Sequence, residues 1–301
     1  MGSRDSSDPL RRDAAFFCND EYFDYIVYRE LARRESHGAR RELLERLADM
    51  ERNHFEFWRT YAGASKPRVS RLRLHLIVLL RKFLGVMFVI KLLERHESEV
   101  IVRYKSALSR LGGEVRGKVE EFLNEEEMHE KTLLSQIEEP VLRYIGFIAL
   151  GLSDSVIEVT GVHAGFLGVT ASTLVAGVAG IIVGLAASIS MGVAAYLKAK
   201  SELRSRPITS GAVTGVAYIL STALLALPYF LTHDMLLAFT SSVALAVLLA
   251  GLFTYYLSIV QDVGFKREML ENTSLLLGTA LVTFFFGELI GAAFGLRGSF
   301  R

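Results

Sequence analysis

The sequence predicts an all-α chain: a charged helical bundle followed by a bundle of five transmembrane helices. Three observations carry that prediction. Charge is split unevenly along the 301 residues, with 25 basic and 25 acidic side chains in residues 1–140 but only nine and eight in residues 141–301. The later part holds five apolar runs, each longer than the ~20 residues that cross ~30 Å of hydrocarbon. The earlier part repeats one pattern of glutamate, tyrosine and histidine at helical spacing. A boundary is expected near Glu139–Pro140, because proline disfavours helix in the residue before it.

Residues 1–12 are rich in Ser, Asp and Gly and read as a flexible N-terminus without the apolar segment of a cleaved signal peptide. Residues 13–139 form the first domain, with helices expected at about Asp13–Glu35, Arg40–Tyr61, Val86–Leu111 and Glu114–Ile137. Between the second and third lies RVSRLRLHLIVLLRKFLG, an apolar crossover at 68–85. Arg71, Arg73, Arg81 and Lys82 argue against another span there. A helix on a membrane surface and a core or dimer-contact helix both fit its basic–apolar mix. The single cysteine, Cys18, excludes an internal disulfide and fits a reducing compartment. The net charge of +1 gives no expectation of a nucleic-acid partner.

Two Glu-x-x-His motifs, Glu51–His54 and Glu126–His129, carry the chemistry of this domain. Residues i and i+3 share a helix face, so each motif can present a carboxylate and an imidazole to one metal. The surrounding spacing repeats as well. Glu21 precedes Tyr28 by seven residues and Glu51 by 30, and Glu97 precedes Tyr104 by seven and Glu126 by 29. Two helical hairpins, each offering one Glu and then Glu-x-x-His, match the ligand set of a dimetal site in a ferritin-like four-helix bundle. Glu94 lies one turn before Glu97 and is an additional candidate; Asp24 stands near Glu21 as a weaker one. Oxygen-rich ligation with two imidazoles suits a dinuclear iron or manganese centre.

The five spans of the 140–301 domain are expected at about Leu142–Phe166, Leu174–Leu197, Ile208–Leu231, Met235–Val260 and Ser274–Leu296. Lys198, Lys200, Arg204 and Arg206 follow the second, and Lys266 and Arg267 follow the fourth, while the opposite loops carry no Lys or Arg. Positive-inside then places the N-terminal domain in the cytoplasm and the C-terminus outside. Ala176, Gly180, Gly184, Ser188 and Gly192 make one small-residue ridge, and Gly287, Gly291 and Gly295 another. Such ridges let helices approach closely in lipid. Asp154 and Glu158 interrupt the first span four residues apart, on one face. Intramembrane acids mark ion paths or proton relays, and a carboxyl group can hold either a proton or a cation. Glu288 in the fifth span is a weaker candidate, and His163, His233 and Asp234 read as water-facing groups near span ends.

The segments DSVIEVTG and SMGVAAYLKAKSE resemble the first two membrane helices of the vacuolar iron transporter family. KLLERHESEVIVRY and the residues around it resemble rubrerythrin-like ferritin domains, and the combination resembles the fusions called membrane-bound ferritins. The resemblance implies a homodimeric exporter of iron(II), and perhaps manganese(II), in exchange for protons across the cytoplasmic membrane. It places Asp154 and Met191 on the translocation path. Two departures stand out: Val183 aligns where many relatives carry a glutamate, and the connection after the second span is short, with Glu202 as its one acid. The alternative function is a membrane-tethered diiron oxidase or peroxidase, with the spans as an anchor.

Overall fold

The computed structural model describes residues 9–62, 67, 69–108, 113–132, 140–170, 172–202 and 206–296. Side chains are described for all of these except residues 9, 10, 98, 99, 107, 108, 114, 126–132 and 140–142. The regular elements are helices: α1 (Pro9–Arg34), α2 (Gly38–Ala62), α3 (Arg71–Leu84), α4 (Val86–Leu108), α5 (Gly113–Thr132), α6 (Pro140–Val169), α7 (Thr173–Glu202), α8 (Pro207–Leu231), α9 (Met235–Val260) and α10 (Phe265–Ala293). They divide into two compact units, Met1–Glu139 and Pro140–Arg301.

In the first unit, α1 begins at Pro9 rather than at Asp13. Proline suits a first helical position, where its fixed φ is preset and its missing N–H is not needed. The turn from α1 to α2 is organised by the buried Glu35. Its carboxylate accepts from the His37 backbone N–H at 3.0 Å and pairs with Arg40 at 3.3 Å and Arg81 at 3.1 Å. Burial pushes the Glu35 carboxyl up, but those donors outweigh it and hold the group below the usual glutamate range.

Arg81 also donates to the Arg34 carbonyl at 2.8 Å, fixing α3 to the end of α1. Ser70 caps α3 through the Arg73 N–H at 3.4 Å. Gly85, at φ 91°, makes the one-residue joint to α4, a backbone angle that glycine adopts at low cost. Ile77 is the one buried residue of α3, so the core reading of the crossover does not hold. The core of the unit gathers Phe17 and Cys18 from α1, Phe55 and Trp58 from α2, Tyr104 from α4 and Leu123 from α5.

In the second unit, five helices are long and apolar enough to cross a bilayer. Large apolar side chains such as Leu174, Ile182, Leu220, Leu252, Val282 and Phe286 stay exposed, as expected where the surrounding solvent is lipid. α10 starts at Phe265, nine residues before the expected span. Hydropathy reports the apolar run, whereas the helix also includes its charged first turns, Lys266 to Glu271.

Both small-residue ridges form close contacts. A Cβ at Gly287 would run into the Gly165 carbonyl of α6, and one at Gly211 of α8 would lie 2.6 Å from the Gly192 carbonyl of α7. Gly295 lies beyond the end of α10 at φ 62°. Pro207 opens α8, and Asp234 caps α9 by accepting from Leu237 N–H at 2.8 Å.

Candidate metal centre and membrane carboxylates

Glu21 on α1 and Glu51 and His54 on α2 meet inside the first unit, at 7 %, 3 % and 1 % exposure. One ligand atom from each lies within 4.8 Å of the others, a grouping that can hold a metal ion. His54 Nδ1 is 3.5 Å from Glu21 Oε2 and 3.9 Å from Glu51 Oε2. Its other nitrogen, Nε2, is 3.3 Å from Glu125 Oε2 on α5. An Nε2–H donating to Glu125 leaves the Nδ1 lone pair aimed at the two buried carboxylates. Metal-ligating imidazoles are oriented by carboxylates in this way. Glu125 was not singled out by the motif; it stands one residue before Glu126. Glu126 and His129 lie on α5, but their side chains are outside those described, so the second Glu-x-x-His is not placed.

The repeat-related tyrosines are exchanged between the hairpins. Tyr104 of α4 donates to Glu21 of α1 in a short bond, and Tyr28 of α1 donates to Glu97 of α4 at 3.4 Å. Tyr104 is held in turn by Trp58, whose Nε1–H donates to its oxygen at 2.6 Å, and by Phe17, stacked 4.0 Å away. Burial pushes the Tyr28 phenol well above its usual range, and the charges of Glu97, Glu51, Asp24 and Glu94 push it further. Those four acids therefore act electrostatically on one buried hydroxyl, and Glu97 alone of them is bonded to it among the described contacts. Glu94 also pairs with Lys91 at 3.5 Å. Glu21 is pushed up by burial, but its polar contacts with His54, Glu51 and Tyr104 outweigh this and hold it below the usual range. Cys18 brings no thiolate, since burial pushes its thiol up.

In the second unit, Asp154 and Glu158 lie on α6, half-buried, and act electrostatically on one another. Glu158 accepts from Tyr218 of α8 at 2.5 Å, and Asp154 also acts on that phenol. Tyr218 is fully buried and was not anticipated from sequence. Met191 of α7 packs against the apolar cluster that contains Tyr218, Val156 and Val159. Glu202 is exposed at the end of α7, and Glu288 is half-buried on α10.

His163 departs from the water-facing expectation. It is fully buried on α6, its ring tilted against Tyr229 of α8 with centroids 4.1 Å apart, and neither ring nitrogen is hydrogen-bonded. A histidine ring that fits against Gly180, where a Cβ would overlap Nε2, is invisible to a span-end rule. His233 and Asp234 are exposed, as expected.

No family model matches this chain, and neither a curated protein nor a solved structure is similar to it.

Proposed function

We propose that the protein is a proton-coupled exporter of a divalent transition metal, iron(II) or manganese(II), whose N-terminal unit is a ferritin-like dimetal domain that captures or senses the ion. The observation that carries this reading is the Asp154–Glu158 pair. Two carboxylates sit one turn apart in a helix apolar enough to cross a bilayer, and one of them, Glu158, accepts a hydrogen bond from the buried Tyr218. Charged groups in such a helix are costly, and these two have no described basic residue bonded to them; a cation or a proton offsets the cost. A phenol hydrogen bond suits either state, because Tyr218 can donate to the carboxylate or accept from the carboxylic acid.

The donor set of the first unit fits the metal reading. Two buried carboxylates and an imidazole with its far nitrogen anchored suit a hard or borderline dication. Glu21, Glu51 and His54 would hold one ion, with Glu97, Glu94 and Asp24 as further oxygen donors nearby. A dinuclear iron centre would supply oxygen or peroxide chemistry there. Glu125 fixes the imidazole, while Tyr104 and Tyr28 hold Glu21 and Glu97 in place.

The motif resemblance supports a homodimer and a cytoplasmic N-terminal unit in a multi-pass cytoplasmic-membrane protein, with Met191 as a soft ligand along the path. The test is metal flux into proteoliposomes under an imposed pH gradient. Asp154→Asn is expected to abolish flux of iron(II) and manganese(II) with its accompanying proton movement; unchanged flux refutes the reading. The buried Glu21–Glu51–His54 group favours one further reading, a tethered oxidase. That reading expects oxygen- or peroxide-dependent iron(II) oxidation lost in Glu51→Ala, and a folded wild type that oxidises no faster than background rejects it.

A further inference from the structure

The face that α3 turns outward has no role in either site. Leu72, Leu76, Leu79 and Phe83 are 80 %, 54 %, 50 % and 73 % exposed. Their spacing of four, three and four residues puts them on one narrow stripe of the helix. Arg71, His75 and Lys82 border the stripe on one side and Arg73 on the other, and the segment RLRLHLIVLLRKFL contains no acid. The back of the helix is held to its own unit by the buried Ile77 and by Arg81, which bonds to the Arg34 carbonyl and Glu35. The stripe is therefore fixed in place and facing out.

We propose that α3 is an in-plane membrane helix, its Leu72–Leu76–Leu79–Phe83 stripe seated at the headgroup–acyl boundary of an anionic bilayer and its basic rim among the lipid phosphates. An apolar stripe edged by Arg and Lys is the pattern of interfacial helices. A row of four large apolar side chains is not left to water without reason. A second copy of the chain is the less favourable occupant. A two-fold contact would set the same surface against itself, and the basic rims would meet with no acid on α3 to pair with them. The same chain carries five helices apolar enough to cross a bilayer, which makes a bilayer the apolar surface at hand. Basic residues beside such a surface gain from its negative potential.

The test uses the full chain in liposomes that contain an anionic lipid. Single cysteines replace Leu76, Phe83 and, as a control, the exposed Arg116 of α5, in a Cys18→Ala background whose fold is checked by Trp58 emission. Each carries a nitroxide, and its collisions with lipid-soluble oxygen and with an aqueous nickel chelate are compared. The expected result is a several-fold higher oxygen-to-nickel ratio at positions 76 and 83 than at 116. That ratio should fall towards the control in wholly zwitterionic lipid or after Arg71→Glu with Lys82→Glu. Nickel access at 76 and 83 equal to that at 116 overturns the proposal. So does exclusion of both reagents with spin–spin broadening that disappears on dilution with unlabelled chain, the signature of a second copy. Insertion indifferent to both charge changes overturns the assignment to an anionic surface. None of these readings depends on transport, so metal flux and membrane seating fail separately.

Discussion

Tyr104→Phe removes one oxygen from the centre of the first unit and leaves its ring, stacked on Phe17, in place. Among the described contacts, that oxygen accepts the indole N–H of Trp58 at 2.6 Å and donates to Glu21. Trp58 is 0 % exposed, so its N–H has no water to turn to. A buried donor left unsatisfied costs about 1–3 kcal/mol. The lost bond to the Glu21 carboxylate is charge-assisted, worth about 1.5–3 kcal/mol, and His54 retains part of it. The expected destabilisation is about 3 kcal/mol. With a urea m-value of about 2 kcal/mol/M, the midpoint falls by about 1.5 M. Trp58 is the only tryptophan in the chain, so its emission reports this unit alone even in the intact protein in detergent. Tyr28→Phe is the internal comparison. Its bond to Glu97 is longer, at 3.4 Å, and no donor depends on it among the described contacts, so about 1 kcal/mol is expected. A Tyr104→Phe midpoint shift under ~0.3 M, or equal shifts for the two variants, refutes the reasoning from these hydrogen bonds.

Glu125→Ala is expected to lower affinity for a cobalt(II) probe at the His54 site about 10–100-fold, the usual cost of losing a carboxylate that orients a ligand imidazole. An optical titration measures it, and an unchanged affinity shows that Glu125 does not orient His54. Gly180→Ala forces a Cβ into His163, whose ring is already packed against Tyr229. Overpacking of this kind costs about 1–3 kcal/mol, against a helix-propensity gain of about 1 kcal/mol. Thermal unfolding followed by circular dichroism should show a lowered Tm that a second change, His163→Ala, partly restores. Glu35→Gln should destabilise the first unit by about 2 kcal/mol at neutral pH, because it weakens the pairing of a buried carboxylate with Arg40 and Arg81. The wild-type carboxyl is held low, so its stabilisation is complete above the ordinary glutamate value of about 4.3 and fades as the pH falls through the lower folded value. The Trp58 unfolding midpoints of wild type and variant should therefore converge in acid.

The fold was legible where one signal dominates. An apolar run of ~20 residues has few alternatives to a membrane helix, and the break at Pro140 coincides with a change in charge density that no single residue carries. Helix ends were less legible. Hydropathy stops at Ser274, but the hydrogen-bonded helix continues back to Phe265, because charged residues at a span end face water without breaking the ladder. For α3, composition left core, dimer contact and membrane surface open together. Only its docking, with Ile77 and Arg81 turned inward, removed the core reading.

The candidate centre divides in the same way. Glu51 and His54 are neighbours on one helix, so spacing alone placed them together, and Glu21 followed from the repeat. The repeat also carried Tyr28 and Tyr104 at matching positions. What it could not carry is that each serves the other hairpin's glutamate, a consequence of α1 packing beside α4 rather than of order along the chain. Glu125 was hidden by its neighbours, since three consecutive glutamates look alike until a helix phase is assigned. His163 shows the opposite limit. Position in a span predicted water, yet the ring is enclosed because α7 offers a glycine at that level and α8 a tyrosine face. A polar side chain in a membrane helix is therefore read less by its depth than by the size of the residue opposite it, and the glycines of α7 are as informative about His163 as its own position in α6.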